Sequence, residues 1–156
     1  MIESWIFMQN DLINMQLALI EATLGAERGE VPVGAVIVYN DEVIARAHNA
    51  PIALSDPCAH AEVLALREAG RALHNYRLND TTLYVTLEPC PMCVYAMIHA
   101  RVARCVFAAS DPKTGAMGGV IDLTKAHAWN HTIDVQGGVM AEESAAMLKS
   151  FFKSRR

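Results

Sequence analysis

The chain has 156 residues, of which 53% are hydrophobic and 19% charged, and its formal net charge is −4. This length fits one folded domain with one core, and the composition excludes a disordered chain. No apolar stretch approaches the roughly 18 residues of a membrane span, and the acidic balance gives no support to nonspecific nucleic-acid binding, so neither a membrane nor DNA is expected as a partner.

The mean hydropathy of +0.19 is high for a small soluble protein. Apolar surface covered by another copy of the chain explains such a value, so we expect a homo-oligomer. Residues 1–7 lack a basic flank and include Glu3, which is not typical of a secretory signal. We therefore expect a cytoplasmic protein whose four cysteines are reduced thiols.

The first half of the chain alternates helix and strand patterns. Helical spacing of apolar residues predicts a helix over 11–28. Two β-rich runs, 33–39 and 43–47, flank a turn at Asn40-Asp41 and predict a hairpin. The prolines of segment 49–57 indicate a loop.

The second half continues the alternation. Patterns predict helices over 60–73, 91–100 and 141–153 and strands over 82–87, 104–108 and 133–136, with a Gly-rich loop at 111–119. The order αββαβαββα predicts an α/β protein with helices on both faces of a sheet, a three-layer α/β/α arrangement in one domain, 1–156.

Cys90 and Cys93 lie three residues apart where a strand gives way to a helix. At this spacing both sulfurs lie on one side of the first turn, where backbone N–H groups favour thiolates. Two thiolates suit Zn²⁺, although a Cys-x-x-Cys redox pair remains an alternative on this motif alone.

His60 also begins a helix directly after an irregular loop. Together with Cys90 and Cys93 it makes three protein ligands and leaves a fourth position for water, which is typical of catalytic zinc. Cys58, two residues earlier, would close the set into a structural site, but that interpretation leaves Glu62 without a role. The remaining thiol, Cys105, falls in a predicted strand and is interpreted as a buried small hydrophobe.

Glu62 follows His60 by two residues and is the candidate general acid and base. A solvated helix-face glutamate is the alternative for this residue alone. Jointly, His60-Ala61-Glu62 and Pro89-Cys90-Pro91-Met92-Cys93 match the H-x-E…P-C-x-x-C signature of zinc nucleobase deaminases.

The chain resembles the cytidine-deaminase superfamily and, within it, the bacterial tRNA-specific adenosine deaminases. Besides the zinc signature, the resemblance is carried by several segments: Glu30-Val31-Pro32-Val33-Gly34-Ala35, Asn75-Tyr76-Arg77-Leu78, Ala96-Met97-Ile98-His99, Lys113-Thr114-Gly115-Ala116, Asn130-His131 and Phe151-Phe152. It implies a five-stranded mixed sheet, a homodimer, and one Zn²⁺ per subunit.

The resemblance also implies an activity and a set of contacts. Wobble adenosine of a tRNA anticodon is converted to inosine, with zinc hydroxide attacking C6 and Glu62 shuttling protons. Asn49 matches a position that hydrogen-bonds the target base, with a turn residue before Pro51 as the alternative. The expected RNA contacts are Asp111, Lys113, Thr114, Asn130, Phe151, Phe152, Arg155 and Arg156.

Several of these assignments have structural alternatives. The loop near Asp111 is equally typical of a surface loop, and Phe152 of core or dimer packing. Tyr95, where the family commonly has small residues, either narrows the pocket or packs away from it. The competing functions are a zinc deaminase of a free base or nucleoside, of guanine or cytosine type, and a non-catalytic zinc-stabilised RNA-binding module.

Overall fold

A computed structural model describes residues 1–126 and 128–155. Arg156, one of the expected RNA contacts, lies outside these residues. In chain order the elements are α1 (Ile2–Glu27), β1 (Gly34–Tyr39), β2 (Glu42–His48), α2 (Pro51–Leu54), α3 (Ala61–Leu73), β3 (Thr82–Leu87), α4 (Pro91–Ala100), β4 (Arg104–Ala109), a 3-10 turn (Leu123–Lys125), β5 (Asp134–Gln136) and α5 (Ala141–Lys153).

The predicted hairpin is formed by β1 and β2, which pair antiparallel from Gly34 opposite His48 to Tyr39 opposite Glu42. The two turn residues have positive φ angles, 49° at Asn40 and 64° at Asp41. Asn and Asp tolerate this backbone better than other side chains, and two consecutive positive φ angles match the twist of a tight hairpin.

The five strands form one sheet in the order β2-β1-β3-β4-β5. Strand β1 is antiparallel to β2 and β3, whereas β3, β4 and β5 run parallel. The expected five-stranded mixed sheet is therefore confirmed. Since β3 and β4 are parallel, the segments that follow them, Glu88–Cys90 and Ser110–Asp111, leave the sheet at the same edge.

Helices cover both faces of the sheet. On one face, α3 and α4 pack on alternate residues of β3 and β4, including Leu83, Val85 and Phe107. On the other face, α1 packs on Tyr84 and Val106. Helix α5 lies beside α1 and contacts the same two strands. The predicted three-layer arrangement, with helices on both faces of the sheet, is therefore confirmed.

Helix α1 begins nine residues before the predicted start at residue 11. No proline or glycine interrupts residues 1–24, so the helix continues outward past the sheet. This extension carries large apolar side chains into solvent. The exposed ones on α1 are Ile2, Trp5, Ile6, Phe7, Met8, Leu12, Ile13, Ile20 and Leu24. Within the described residues, neither this helix nor a shorter one is apolar enough over a sufficient length to cross a membrane.

A buried polar cluster fixes α1 to the sheet. The Asp11 carboxylate accepts two hydrogen bonds from the Arg104 guanidinium, at 2.7 and 2.8 Å, and one from the Tyr84 hydroxyl at 2.8 Å. Burial, followed by the hydrogen bond to Asp11, raises the pKa of Tyr84 to about 12. A bidentate pair of this kind is oriented as well as attractive, so it sets the position of the helix along the sheet.

Candidate metal centre and active site

Two helix N-termini converge on one point. His60 is the N-cap residue of α3 and Cys90 is the N-cap residue of α4, both with extended backbone. Pro91 fills the first position of α4, where its missing N–H is not needed. Because Cys93 lies one turn further along α4, its side chain faces the same point as that of Cys90.

The three candidate ligand atoms lie within 4.8 Å of one another. Nδ1 of His60 is 3.6 Å from Sγ of Cys90 and 3.5 Å from Sγ of Cys93. A tetrahedral zinc with bonds of about 2.3 Å to sulfur and about 2.1 Å to nitrogen separates these atoms by about 3.6 Å. The donor set and its spacing therefore fit zinc.

The electrostatics of the trio favour a cation. Hydrogen bonds from Cys93 and His60 lower the pKa of Cys90 to about 4, against the effect of burial. The hydrogen bond with Cys90 and then burial raise the pKa of Cys93. The hydrogen bond with Cys90 also raises the pKa of His60. The lowered pKa of Cys90 favours the thiolate form that a metal ligand needs.

Glu62 lies on the first turn of α3 and is 4% exposed. Burial raises the pKa of its carboxyl, and a hydrogen bond with Cys93 opposes that shift. A carboxyl with a raised pKa takes up a proton more readily near neutral pH than an exposed one does. The solvated-glutamate alternative does not fit this degree of burial.

Glu62 and two of the candidate metal ligands, His60 and Cys90, border a cavity of about 230 Å³. This is smaller than the 300–1,000 Å³ of pockets for drug-sized ligands, so it fits one base better than a whole nucleotide. The lining residues are Val31, Val33, Asn49, Pro51, His60, Glu62, Leu87, Glu88, Cys90, Asp111 and Thr114.

Asn49 enters this cavity in a fixed orientation. Its Oδ1 accepts a hydrogen bond of 2.8 Å from the backbone N–H of Ala61, the first residue of α3. This leaves the two N–H groups of Nδ2 as donors for a ligand. The turn-residue alternative explains neither this contact nor the position of Asn49 in the cavity.

The predicted loop at 49–57 contains a short helix, α2, held by a residue that the sequence motifs did not single out as functional. The Glu30 carboxylate is buried and accepts hydrogen bonds of 3.1 Å from the N–H groups of both Ile52 and Ala53. Because Pro51 and Asn49 line the cavity, Glu30 supports that wall from behind.

Glu88 holds the opposite wall and was likewise missed. Its buried carboxylate accepts hydrogen bonds from the N–H groups of Asp111 at 3.1 Å, Met117 at 3.0 Å and Gly119 at 2.8 Å. A Cβ at Gly115 or Gly119 would collide with this carboxylate. The Gly-rich segment 111–119 is therefore a loop wrapped around one charged side chain.

The Asp111 side chain lies at the cavity end of this loop. Its carboxylate accepts hydrogen bonds from the N–H groups of Lys113 and Thr114 and from the Thr114 hydroxyl. Burial acts to raise the pKa of Asp111, but these hydrogen bonds lower it below its ordinary value. Asp111 and Thr114 line the cavity, whereas the Lys113 side chain is exposed.

The other expected RNA contacts lie outside the cavity lining. Asn130 is exposed, and Phe152 is 48% exposed on α5 with its ring edge-on to Phe151. Tyr95 packs away from the cavity, since its ring contacts Trp129 edge-on at 5.0 Å between centroids.

The two remaining cysteines do not join the trio. Cys58 is exposed and falls outside the group of candidate ligands, so nothing in the described chain favours a closed four-ligand site. Cys105 is fully buried in β4, as interpreted from the sequence, and burial raises the pKa of its thiol.

Comparisons with known proteins place this geometry in context. The family described as MafB19-like deaminase matches residues 9–156. The chain is 47% identical to the tRNA-specific adenosine deaminase of Bacillus subtilis over 149 residues, 96% of this chain and 92% of that protein. A tRNA:A34 deaminase structure, studied for A-to-I editing at the wobble position, superposes with a TM-score of 0.84 at 44% identity and covers 86% of this chain and 98% of that one. A Bacillus subtilis guanine deaminase gives 0.61 at 40% identity over 63% of each chain.

Proposed function

The chain belongs to the MafB19-like deaminase family and, within it, to the tRNA-specific adenosine deaminases, and from this premise we propose that it converts the wobble adenosine, position 34 of a tRNA anticodon, to inosine. Residues 1–156 act as a single deaminase domain. The observation that carries the proposal is the cavity of about 230 Å³ in which Glu62 and Asn49 adjoin His60 and Cys90, two of the three candidate metal ligands.

His60, Cys90 and Cys93 hold one Zn²⁺ per subunit in this proposal. When bound, zinc supplies a Lewis acid that lowers the pKa of water toward neutral pH. The support is the tetrahedral spacing of the three ligand atoms and the lowered pKa of Cys90. A set of only three protein ligands is typical of catalytic sites.

Glu62 moves the protons of the reaction. Its carboxylate takes a proton from the attacking water and delivers it to N1 of adenine as oxygen bonds to C6. It then carries a proton to the departing amine, so adenosine and water give inosine and ammonia. The burial of Glu62, which raises the pKa of its carboxyl, supports this role.

Asn49 and the walls of the cavity select and orient the base. The Nδ2 group of Asn49 donates to an acceptor on the base, while Val31, Val33 and Leu87 provide apolar surface that excludes water. A wobble base splayed from the anticodon loop presents one unstacked ring, which matches the volume of the cavity. Asp111 and Lys113 contact nucleotides beside the target.

Exposed groups outside the cavity complete the RNA surface in this proposal. Asn130, Phe152 and Arg155 contact the anticodon loop. The Arg155 guanidinium lies 4.2 Å from the centroid of the Phe151 ring and next to Gly29, which adjoins the cavity-supporting Glu30. The active form is a cytoplasmic homodimer, which is consistent with the large apolar surface exposed on α1.

The test is incubation of the protein with an anticodon stem-loop bearing adenosine at the wobble position, with inosine measured by mass spectrometry. Adenosine, guanine and cytosine are assayed in parallel. We expect inosine in the stem-loop and little turnover of the small substrates. Turnover of a free base without editing of the RNA would overturn the proposal in favour of the second candidate, a guanine deaminase. The 40% identity to the Bacillus subtilis guanine deaminase supports this second candidate.

A matched variant separates an enzyme from a non-catalytic module. Glu62→Gln keeps the size of the side chain but removes its capacity to exchange protons. We expect this variant to retain its fold and zinc content and to lose at least about 100-fold in rate, the usual contribution of a general acid-base. Unchanged deamination would contradict the role of Glu62.

A further inference from the structure

His48, the last residue of β2, has a hydrogen-bond partner at each of its two ring nitrogens. Nδ1 lies 3.0 Å from the backbone carbonyl oxygen of Asn49, and Nε2 lies 3.4 Å from Nη1 of Arg28. The side chain is half-buried between these partners. The imidazole therefore connects the residue just after α1 to the asparagine that enters the cavity.

The chemistry of the two partners selects one form of the imidazole. A carbonyl oxygen can only accept a hydrogen bond, so Nδ1 carries a proton and donates it to Asn49. A guanidinium can only donate, so Nε2 is unprotonated and accepts from Arg28. Both contacts are satisfied together only by the neutral Nδ1–H tautomer of His48.

Close packing against the end of α1 holds the ring in place. A Cβ added at Gly25 would lie 3.1 Å from Cβ of His48 and 3.2 Å from its Cγ and Nδ1, so only a glycine lets the helix approach the imidazole this closely. The Gly25 carbonyl oxygen also accepts hydrogen bonds of 3.0 Å from the N–H groups of Arg28 and Glu30. One turn of chain thus presents Arg28 to His48 and Glu30 to the first turn of α2.

The backbone of Asn49 is held at both of its polar groups. Its N–H donates to the Val33 carbonyl oxygen at 3.0 Å, and its C=O accepts from His48. Its side-chain Oδ1 accepts from the N–H of Ala61. Together these three contacts determine where Nδ2 lies in the cavity, and His48 supplies one of them from outside the lining described for that cavity.

We propose that His48 is a positioning residue for the deamination. Its Nδ1–H form, selected by Arg28, fixes the backbone of Asn49 so that Nδ2 meets the base. The inference rests on the proposed function, in which Asn49 contacts the base, and His48 itself does not touch the substrate. Such support matters because a misplacement of about 1 Å in a site of this kind costs on the order of 100-fold in rate.

Two substitutions separate the hydrogen-bond donor from the ring. His48→Asn keeps an N–H donor, since Nδ2 of asparagine is as many bonds from Cβ as Nδ1 of histidine is. His48→Phe keeps a ring against Gly25 but has no donor. We expect His48→Phe to lose about 10-fold in kcat/KM on the anticodon stem-loop and His48→Asn to stay within about 3-fold of the wild type. Equal losses in the two variants, or wild-type kcat/KM for His48→Phe, would overturn the proposal.

A double-mutant cycle shows whether His48 acts through Asn49. We expect His48→Phe to cost about 10-fold in the wild-type background but less than about 2-fold in an Asn49→Ala background, where no Nδ2 is left to position. A general loss of structure would lower kcat/KM by the same factor in both backgrounds. That additive result would contradict the proposal.

Nuclear magnetic resonance of the full chain tests the tautomer without any activity measurement. Long-range ¹H–¹⁵N correlation spectra distinguish the two neutral imidazole forms, and the signals of His48 are those absent from His48→Phe. We expect the Nδ1–H form, and the Nε2–H form would overturn the proposal. Arg28→Met should raise the fraction of the Nε2–H form, whereas Arg46→Met, which removes an exposed arginine from β2, should not. An unchanged tautomer in Arg28→Met would overturn the role of Arg28.

Hydrogen exchange at the Ala61 amide separates failure of this inference from failure of the proposed function. The Ala61 N–H donates to Oδ1 of Asn49 at 2.8 Å, so its exchange rate reports how firmly that side chain is held. We expect exchange at least about 10-fold faster in His48→Phe and at the wild-type rate in His48→Asn. Unchanged exchange in His48→Phe would overturn the positioning role even if the wild type edits the stem-loop. Absence of inosine together with the expected exchange rates would overturn the proposed function and leave the contact between His48 and Asn49 intact.

Discussion

The Glu88 carboxylate accepts the backbone N–H of Asp111 at 3.1 Å, which connects the end of β3 to the segment that follows β4. With the N–H groups of Met117 and Gly119 it makes three hydrogen bonds. A buried charged acceptor of this kind determines the path of the loop, and the loop carries Asp111 and Thr114 to the cavity.

Glu88→Gln should therefore impair both stability and activity. The amide turns an N–H donor toward backbone donors, and hydrogen bonds to charged groups contribute about 1.5–3 kcal/mol each. We expect a loss of about 2–4 kcal/mol in the free energy of unfolding, measured by urea denaturation, and at least a 10-fold loss in kcat/KM on the stem-loop. Glu143→Gln, on the exposed face of α5, is the control.

A second variant tests the same contact from the other side. Gly115→Ala would push its Cβ into the Glu88 carboxylate and should reproduce both losses. If Glu88→Gln matched Glu143→Gln in stability and kcat/KM, the loop would not depend on this carboxylate.

Zinc content should distinguish the cysteines. Cys90→Ser and Cys93→Ser each remove one of the three candidate ligands and should reduce bound zinc to well below one equivalent, with activity lost. Cys58→Ser changes an exposed thiol outside the group and should leave zinc and activity unchanged. The measurement is inductively coupled plasma mass spectrometry of the purified protein. Loss of zinc from Cys58→Ser would revive the closed four-ligand site.

Asn49→Asp separates the two functions of the Asn49 side chain. Aspartate keeps the Oδ1 acceptor for the backbone N–H of Ala61 but lacks the N–H donors that, in the proposed function, contact the base. We expect normal thermal stability and a 10- to 100-fold loss in kcat/KM, equivalent to about 1.4–2.8 kcal/mol. Wild-type turnover by this variant would show that Asn49 does not contact the base through Nδ2.

The predicted functional residues have their partners close by in the sequence, whereas the missed ones contact residues far along the chain. His60, Glu62, Cys90 and Cys93 are grouped in two short motifs at helix starts, so local spacing already indicates the chemistry. The contacts of Glu88 reach residues 23 to 31 positions away, and those of Glu30 reach 22 and 23. Such contacts exist only once the chain has folded, and neither glutamate has a spacing that marks it.

The early start of α1 was missed for a different reason. The apolar side chains of its first ten residues do not pack on the sheet. The helical spacing of buried residues, from which the helix was predicted, therefore begins only at Asp11. The hairpin, by contrast, was predicted correctly because Asn40 and Asp41 are residue types that tolerate the positive φ angles of a tight turn.

The polar cluster under α1 predicts an alkaline loss of stability. Folding raises the pKa of Tyr84 from its ordinary value of 10.0 to about 12, so the folded state favours the neutral phenol. The stabilisation is therefore fully present below pH 10 and is lost as the pH rises toward 12. Two pKa units correspond to at most about 2.7 kcal/mol, and we expect about 1–2 kcal/mol.

Tyr84→Phe isolates this contribution. The variant lacks the hydroxyl that donates to Asp11 at all pH values, so the wild-type protein should be more stable by about 1–2 kcal/mol at pH 8. The difference should shrink between pH 10 and pH 12, where the phenol ionises in the unfolded state but stays protonated beside Asp11 in the folded state. Urea unfolding of both proteins across this range measures it, and Tyr39→Phe, which alters a half-buried tyrosine in β1, is the control. A constant difference between wild type and Tyr84→Phe would show that folding does not shift the pKa of Tyr84.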